Sequence, residues 1–179
     1  MRIVGGEFGG RRFNPPASIP ARPTTEVAKE GLFNTLENIL DLQDIKTLDI
    51  FAGTGSISYE LASRGASDLT LVERDNVTIN FIKNTISTLG IADKFHIIRD
   101  DVFKFTKKCT DDFDFIFAGP PYALINIDDL PTVVFEKKLL RQKGIFVLEH
   151  TPRNNYEHHP CFLRFKNYGT TVFSFFTLQ

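Results

Sequence analysis

From residue 46 onward, short apolar runs alternate with segments of helical spacing, and this alternation restricts the fold more than any other feature. The apolar runs occupy 47–51, 69–72, 95–98, 113–118 and 145–148. Helical spacing fills 56–65, 75–89 and 128–141. Runs such as Phe113-Asp114-Phe115-Ile116-Phe117-Ala118 are nearly continuous in apolar residues, as strands buried on both faces are. Strands separated by helices pair in parallel, because each crossover returns the chain to the same edge of the sheet. The end of the chain changes character. Phe162-Leu163-Arg164-Phe165-Lys166 and Thr171-Val172-Phe173-Ser174-Phe175-Phe176 alternate with period two, joined by Asn167-Tyr168-Gly169-Thr170. The expected fold is α/β: a mostly parallel, Rossmann-like seven-stranded sheet closed by an antiparallel C-terminal hairpin.

The N-terminal part reads differently. Arg2-Ile3-Val4-Gly5-Gly6 and Gly10-Arg11-Arg12-Phe13 predict two short strands around a glycine-rich turn. Asn14-Pro15-Pro16 and Ile19-Pro20 predict a loop. Thr24-Thr25 then offers an N-cap for a helix carrying Lys29, Leu32, Phe33, Leu36 and Leu40. The expected division is a small β-hairpin extension over 1–23 and one main domain over 24–179. The chain has 179 residues, 42% of them hydrophobic, which suits a single sizeable core.

Net charge is −1, which excludes a polybasic nucleic-acid binder. Yet Arg2, Arg11, Arg12 and Arg22 face only Glu7 within the first 22 residues. Arg11, Arg12 and Arg22 are candidate phosphate contacts; ordinary solvated arginines are the competing reading. Cys109 and Cys161 form no CxxC pair, and the N-terminus has no apolar signal segment. A cytoplasmic, metal-free monomer without membrane contact is expected. His150, His158, His159 and Cys161 lack the spacing of a usual zinc ligand set.

The chemistry concentrates at the ends of the apolar runs. Leu48-Asp49-Ile50-Phe51-Ala52-Gly53-Thr54-Gly55 is a strand entering a glycine-rich turn, followed by a helix from Ser56. Such a turn brings the backbone close to a ligand, and a helix N-terminus favours a negative group. The GxGxxG fingerprint is incomplete, with Ser58 in its third glycine position. The second run ends at Glu73, where a carboxylate accepts from ribose hydroxyls. The third leads to Asp101, which can accept from an adenine amino group; it also suits a helix N-cap, a reading compatible with that role. The fourth ends in Gly119-Pro120-Pro121-Tyr122. Two prolines fix the backbone and remove two N–H donors, so the turn presents carbonyls without partners along the chain beside an aromatic ring. That suits a flat group bearing an NH2. Four strand ends meeting in one cleft fit adenosine with an amino-acid tail, S-adenosylmethionine, better than a dinucleotide.

The Pro-Pro-Tyr turn resembles the Asp/Asn-Pro-Pro-Tyr signature of methyltransferases acting on exocyclic or amide nitrogens. The resemblance extends along nearly the whole chain. Met1-Arg2-Ile3-Val4-Gly5-Gly6 with Gly10-Arg11, Arg22-Pro23-Thr24-Thr25, Glu30-Gly31-Leu32-Phe33-Asn34, Asp49 to Gly55, Ser63-Arg64-Gly65-Ala66, Val72-Glu73-Arg74-Asp75, Glu149-His150 and Tyr168-Gly169-Thr170-Thr171 carry it. Together they are similar to the bacterial 16S rRNA (guanine-N2)-methyltransferase family (RsmD-like). The resemblance implies a class I methyltransferase fold, S-adenosylmethionine as donor, and 16S rRNA or the assembling 30S subunit as partner. It implies that Asp49, Phe51, Gly53 and Gly55 line the methionine side, that Glu73 takes the ribose and that Asp101 takes the adenine. Pro120, Pro121 and Tyr122 would hold the base, with Arg11, Arg12 and Arg22 on phosphates.

Two positions depart from the family: Ser58 for glycine and Gly119 for aspartate. Guanine N2 is a poor nucleophile, and a carboxylate beside it stabilises the charge that develops on nitrogen. With Gly119 the expectation is a competent cofactor binder with weak or altered catalysis, unless a nearby acid such as Asp114 or Glu149 substitutes. A ribosome-binding protein without catalysis and an adenine or amide N-methyltransferase are the alternatives.

Overall fold

The structure is a computed structural model that describes residues 1–20 and 23–179. Its strands are β1 (Lys46–Ile50), β2 (Asp68–Glu73), β3 (Phe95–Arg99), β4 (Phe113–Ala118), β5 (Leu140–His150), β6 (Phe162–Tyr168) and β7 (Thr171–Phe176). They form one seven-stranded sheet in the order β3-β2-β1-β4-β5-β7-β6. β1 to β5 pair in parallel, and β7 inserts antiparallel between β5 and β6. The helices are α1 (Glu26–Leu36), α2 (Ser56–Ser63), α3 (Asn76–Leu89), α4 (Val102–Lys108) and α5 (Asp129–Glu136). The α/β architecture with its antiparallel C-terminal hairpin is the one the sequence predicts.

Strand alternation sorts the apolar runs onto two cores. Phe115 and Phe117 of β4 join α1, α2 and α3 residues such as Leu32, Leu61 and Ile82 on one face. Ile116 and Ala118 join Leu130 and Val134 of α5 on the other. Because both faces are covered, every position of the central strands is selected for an apolar side chain. Asp49 of β1 is the exception that matters: it pairs in register with Phe117 and shares its face. The apolar neighbours on both sides leave it 2% exposed.

Local chemistry sets the helix ends. Asp75 caps α3 by accepting from Thr78 N at 2.8 Å, and Gly90 ends that helix in the left-handed region at φ 71°. One expectation about helices needs correction. α5 stops at Glu136 rather than running to 141, because Lys138 adopts φ 54° and turns the chain into β5. Arg141, expected within that helix, is therefore a strand residue, as is Lys143. Arg141 instead pairs with Asp112 at 2.8 Å and Asp114 at 2.9 Å. α4 is the helix that Asp101 caps, only two turns long and outside the three segments of helical spacing.

The first residues form an isolated antiparallel bridge, Arg2 with Arg12, in place of two full strands. Gly6 breaks the pairing: it adopts φ 74°, and a Cβ there would collide with the Ser63 carbonyl. This segment is clamped onto α2 by one buried carboxylate. Glu60 accepts from Val4 N at 2.9 Å and Gly5 N at 2.8 Å, and pairs with Lys29 at 3.4 Å and Arg64 at 3.0 Å. Lys29 also donates to the Arg2 carbonyl and to Ser56. Ile3, 1% exposed, sits in the α1–α2 core.

Candidate active site

The sheet order reverses direction between β1 and β4, and a crevice outside the carboxyl ends of strands opens at such a point. The turn leaving β1 and the turn leaving β4 therefore flank one cleft.

The β1–α2 turn is built from left-handed backbone. Phe51 has φ 91°, Gly53 φ 53° and Gly55 φ 82°. A non-glycine residue at φ 91° is strained, and such strain collects where a backbone is held for a ligand. Gly55 occupies the N-cap of α2 without a side-chain cap, so the first amides of that helix keep their donor capacity. A Cβ at Gly55 would lie 2.5 Å from the Tyr59 hydroxyl, so the close approach of turn and helix needs glycine.

Glu73 ties the end of β2 to this turn. Its Oε2 accepts from Gly53 N at 3.1 Å, and Oε1 accepts from Arg74 N at 2.8 Å and Asp75 N at 3.0 Å. The carboxylate is thus fixed before any ligand arrives. Each oxygen has further lone-pair capacity for an incoming hydroxyl.

Asp49 lies beneath the same turn. Its Oδ2 accepts from the Ser58 hydroxyl at 3.0 Å, and Oδ1 is buried without a partner among the described residues. Burial foremost pushes its carboxyl up to about 7; the Ser58 bond pulls it down, and the charges of Glu73 and Glu149 push it further up. Ser58, 0% exposed, thus fills the missing glycine position with a donor aimed at Asp49. At the end of β3, Asp101 is the N-cap of α4, its Oδ1 accepting from Phe103 N at 3.0 Å and Lys104 N at 3.1 Å. The cap uses one oxygen; the other takes no part in it.

Beyond β4, Gly119 and Tyr122 are half-buried, Pro120 is buried and Pro121 is exposed. One carbonyl of this turn does have a chain partner, contrary to expectation: Pro121 O accepts from Leu124 N at 2.9 Å. The Tyr122 hydroxyl donates to Glu149 Oε1 at 3.1 Å and lies 3.2 Å from Thr171 Oγ1. Thr24, just before α1, donates to Glu149 Oε2 at 2.7 Å. Asp114, the other candidate acid, points away to the opposite end of the sheet, where it accepts from Lys46 N at 2.9 Å and pairs with Arg141.

The fold thus gathers Asp49, Phe51, Gly53, Gly55 and Glu73 around one turn, with Gly119–Tyr122 across the crevice and Asp101 two strands beyond β1. Arg11 and Arg12 are exposed in the N-terminal segment, and Arg22 lies outside the described residues. Sequence reasoning missed Thr24 and Thr171 as partners in this site, and missed Ser58 as a donor to Asp49. It also missed two exposed apolar side chains: Val77 in the first turn of α3, 46% exposed, and Ile125 after the Pro-Pro-Tyr turn, 100% exposed. No metal cluster occurs among the described residues. His150 instead bonds Ser174 at 2.7 Å and the Thr151 carbonyl at 2.8 Å, inside the second core.

Residues 1–177 match the family described as Conserved hypothetical protein 95. The chain belongs to this family. Among curated relatives, a putative rRNA methyltransferase of Bacillus subtilis, YlbH, is 32% identical over 84% of this chain and 82% of its own length. Ribosomal RNA small subunit methyltransferase D of Escherichia coli is 27% identical over 86% of this chain and 76% of its own. A solved structure of a putative methylase from Haemophilus influenzae superposes with a TM-score of 0.79 at 25% identity, covering 98% of this chain and 96% of that one. Membership in this family, together with the strand order and the two turns, makes the fold that of a class I methyltransferase. No helix is long and apolar enough to cross a membrane among the described residues.

Proposed function

We propose that this chain transfers the methyl group of S-adenosylmethionine to the exocyclic N2 of a guanine in 16S rRNA of the small ribosomal subunit. The coarser part of this reading, rRNA methylation, has the support of the relatives' names. The guanine amine has the support of the site. The observation that carries it is the position of the Pro-Pro-Tyr turn, which leaves β4 directly across the switch point from the glycine turn of β1.

The residues fit the donor. The buried Asp49 Oδ1, without a partner among the described residues, matches an ammonium group, and the pre-fixed Glu73 carboxylate matches ribose hydroxyls. Asp101 stands at the adenine end, with Val77 as an apolar surface for the ring. When bound, S-adenosylmethionine supplies a methyl group activated by a sulfonium. The chain's part is alignment: nitrogen, methyl carbon and sulfur must lie in line, with the reacting atoms about 3–3.5 Å apart. The rigid Pro120-Pro121 turn fixes where the base stops, and the Tyr122 ring, anchored through its hydroxyl, gives it a face to lie on. Arg11, Arg12 and Arg22 contact phosphates, which positions RNA without reading its sequence.

Gly119 favours a second reading, a ribosome-binding protein that keeps the cofactor fold without turnover. The two separate in one experiment: the purified chain is incubated with methyl-labelled S-adenosylmethionine and 30S particles lacking the modification. The first reading predicts label in N2-methylguanosine after nuclease digestion. Label bound to protein with none in RNA, under single-turnover conditions, would support the second. Label in an adenine or in protein would point to the adenine and amide alternatives.

A further inference from the structure

We infer that the edge strand β6 is a second RNA-contacting surface: single-stranded rRNA leaving the target base passes along it, with a base stacked on Phe165 and phosphates against Arg164 and Lys166. This rests on the reading of the chain as an rRNA methyltransferase, and not on which base it methylates.

The strand order ends at β6, so among the described residues no strand covers its outer edge. β6 is exposed from Leu163 to Asn167, whereas β7 beside it is buried at all six positions. Leu163 is 39% exposed and Phe165 49%. Arg164 and Lys166 alternate with them, and neither forms an ion pair among the described residues. No acidic residue follows Glu157 in the chain. Register sorts these side chains. Arg164 and Lys166 pair with Phe175 and Phe173, on the face that carries α1, and Phe165 pairs with Ser174 on the opposite face. At an open edge both faces are accessible, so a polymer can follow it with phosphates on one side and a base on the other.

The strand runs up to the crevice. Tyr168 at its end pairs with Thr171, and the Thr171 hydroxyl lies 3.2 Å from that of Tyr122. Lys166 is two residues back along β6, about 7 Å from Tyr168. RNA whose target base sits at the Pro-Pro-Tyr turn therefore meets this edge within a few nucleotides.

Charge selects the occupant. An antiparallel pairing of β6 with a second copy centred on Phe165 would set Arg164 of each copy against Lys166 of the other, and like charges directly opposite destabilise a sheet. An edge that only needs protection carries charges and little apolar surface. β6 carries the charges and also leaves an aromatic ring in water between them. Unpaired cations interleaved with an open ring are what a single-stranded nucleic acid uses, the cations for its backbone and the ring for a base.

The test measures filter binding of 16S rRNA over a salt series, S-adenosylmethionine affinity by calorimetry, and sedimentation, in wild type, Phe165→Ala, Phe165→Tyr and the double variant Arg164→Ala with Lys166→Ala. Loss of one stacked base is expected to weaken RNA binding by about fivefold to 100-fold in Phe165→Ala, with the salt slope unchanged. Phe165→Tyr keeps the ring and is expected to bind as wild type does. The double variant is expected to lower the slope of log affinity against log salt by about 1.4, at about 0.7 for each phosphate on a single strand. Donor affinity is expected to stay at the wild-type value throughout, because β6 lies outside the β1–α2 turn, and it reports that each variant is folded. A wild type that binds 16S rRNA while Phe165→Ala or the double variant matches it in affinity and slope overturns this surface alone. A wild-type dimer that Phe165→Ala separates, with RNA binding unchanged, overturns it in favour of a second copy. A wild type that does not bind 16S rRNA overturns the rRNA reading and this surface with it.

Discussion

Asp49 couples stability to pH through a single buried oxygen pair. Its carboxyl is pushed up to about 7 by burial foremost, with the charges of Glu73 and Glu149 adding and the Ser58 bond opposing. An unfolded aspartate loses its proton at about pH 4, so between there and 7 the unfolded chain gives up a proton that the folded chain keeps. Folded stability falls across that window and levels off above it. Asp49→Asn removes this slope: thermal melts are expected to favour the variant over wild type more at about pH 8 than at about pH 5. Donor binding should act in the opposite sense. An ammonium against Asp49 favours the ionised form, so binding at about pH 7 releases a proton, seen by calorimetry as a dependence on buffer ionisation heat. Ser58→Ala takes away the hydroxyl donor to Asp49 and should cost about 1–3 kcal/mol in urea unfolding. A variant as stable as wild type would show that the bond contributes nothing.

At the scale of elements, the N-terminal segment and α1 hang on the buried Glu60. Burial lowers the Lys29 ammonium from its ordinary value, and Glu60 opposes that shift. Lys29→Met leaves Glu60 with one cation fewer in a site fully shielded from water. Breaking a buried pair in this way costs about 3–5 kcal/mol, measurable as a lower urea midpoint. Hydrogen exchange at Val4 and Gly5, whose amides Glu60 holds, should accelerate in the same variant. These contacts are not legible in the sequence, where Lys29 reads only as one member of a helical repeat. The strands are legible, because a sheet covered on both faces writes an apolar run at each of them. α4 is legible only through its cap at Asp101, since two turns give periodicity too little length to register. The end of α5 is placed too late by sequence, because Lys138-Leu139-Leu140 continues a helical pattern that the left-handed Lys138 breaks. Glu149 can be placed at a strand end from sequence but not beside Gly119. The β4–β5 register jumps from Phe113↔Leu140 to Phe115↔Ile145, an irregularity that counting residues does not foresee.

Across the whole molecule, the sheet order turns separate sequence features into one site. β1 and β4 are distant in sequence and adjacent in space, so the glycine turn and the Pro-Pro-Tyr turn share a crevice. Thr24, just before α1, donates to Glu149, and Arg11 and Arg12 are exposed in the N-terminal segment. If both arginines contact phosphates, replacing them by alanine should reduce the slope of log affinity against log salt by about 1.5, at about 0.7–0.9 for each phosphate no longer neutralised. Filter binding to the small-subunit rRNA over a salt series measures this. Donor affinity should not change, because neither residue lies at the β1–α2 turn.

Everything proposed for the site depends on methylation of guanine N2 in small-subunit rRNA. Nucleoside mass spectrometry of 16S rRNA from cells with and without this chain measures that directly. N2-methylguanosine is expected at one position in the first RNA, missing from the second and restored by expressing the wild-type chain. Identical nucleoside profiles from the two strains would refute it.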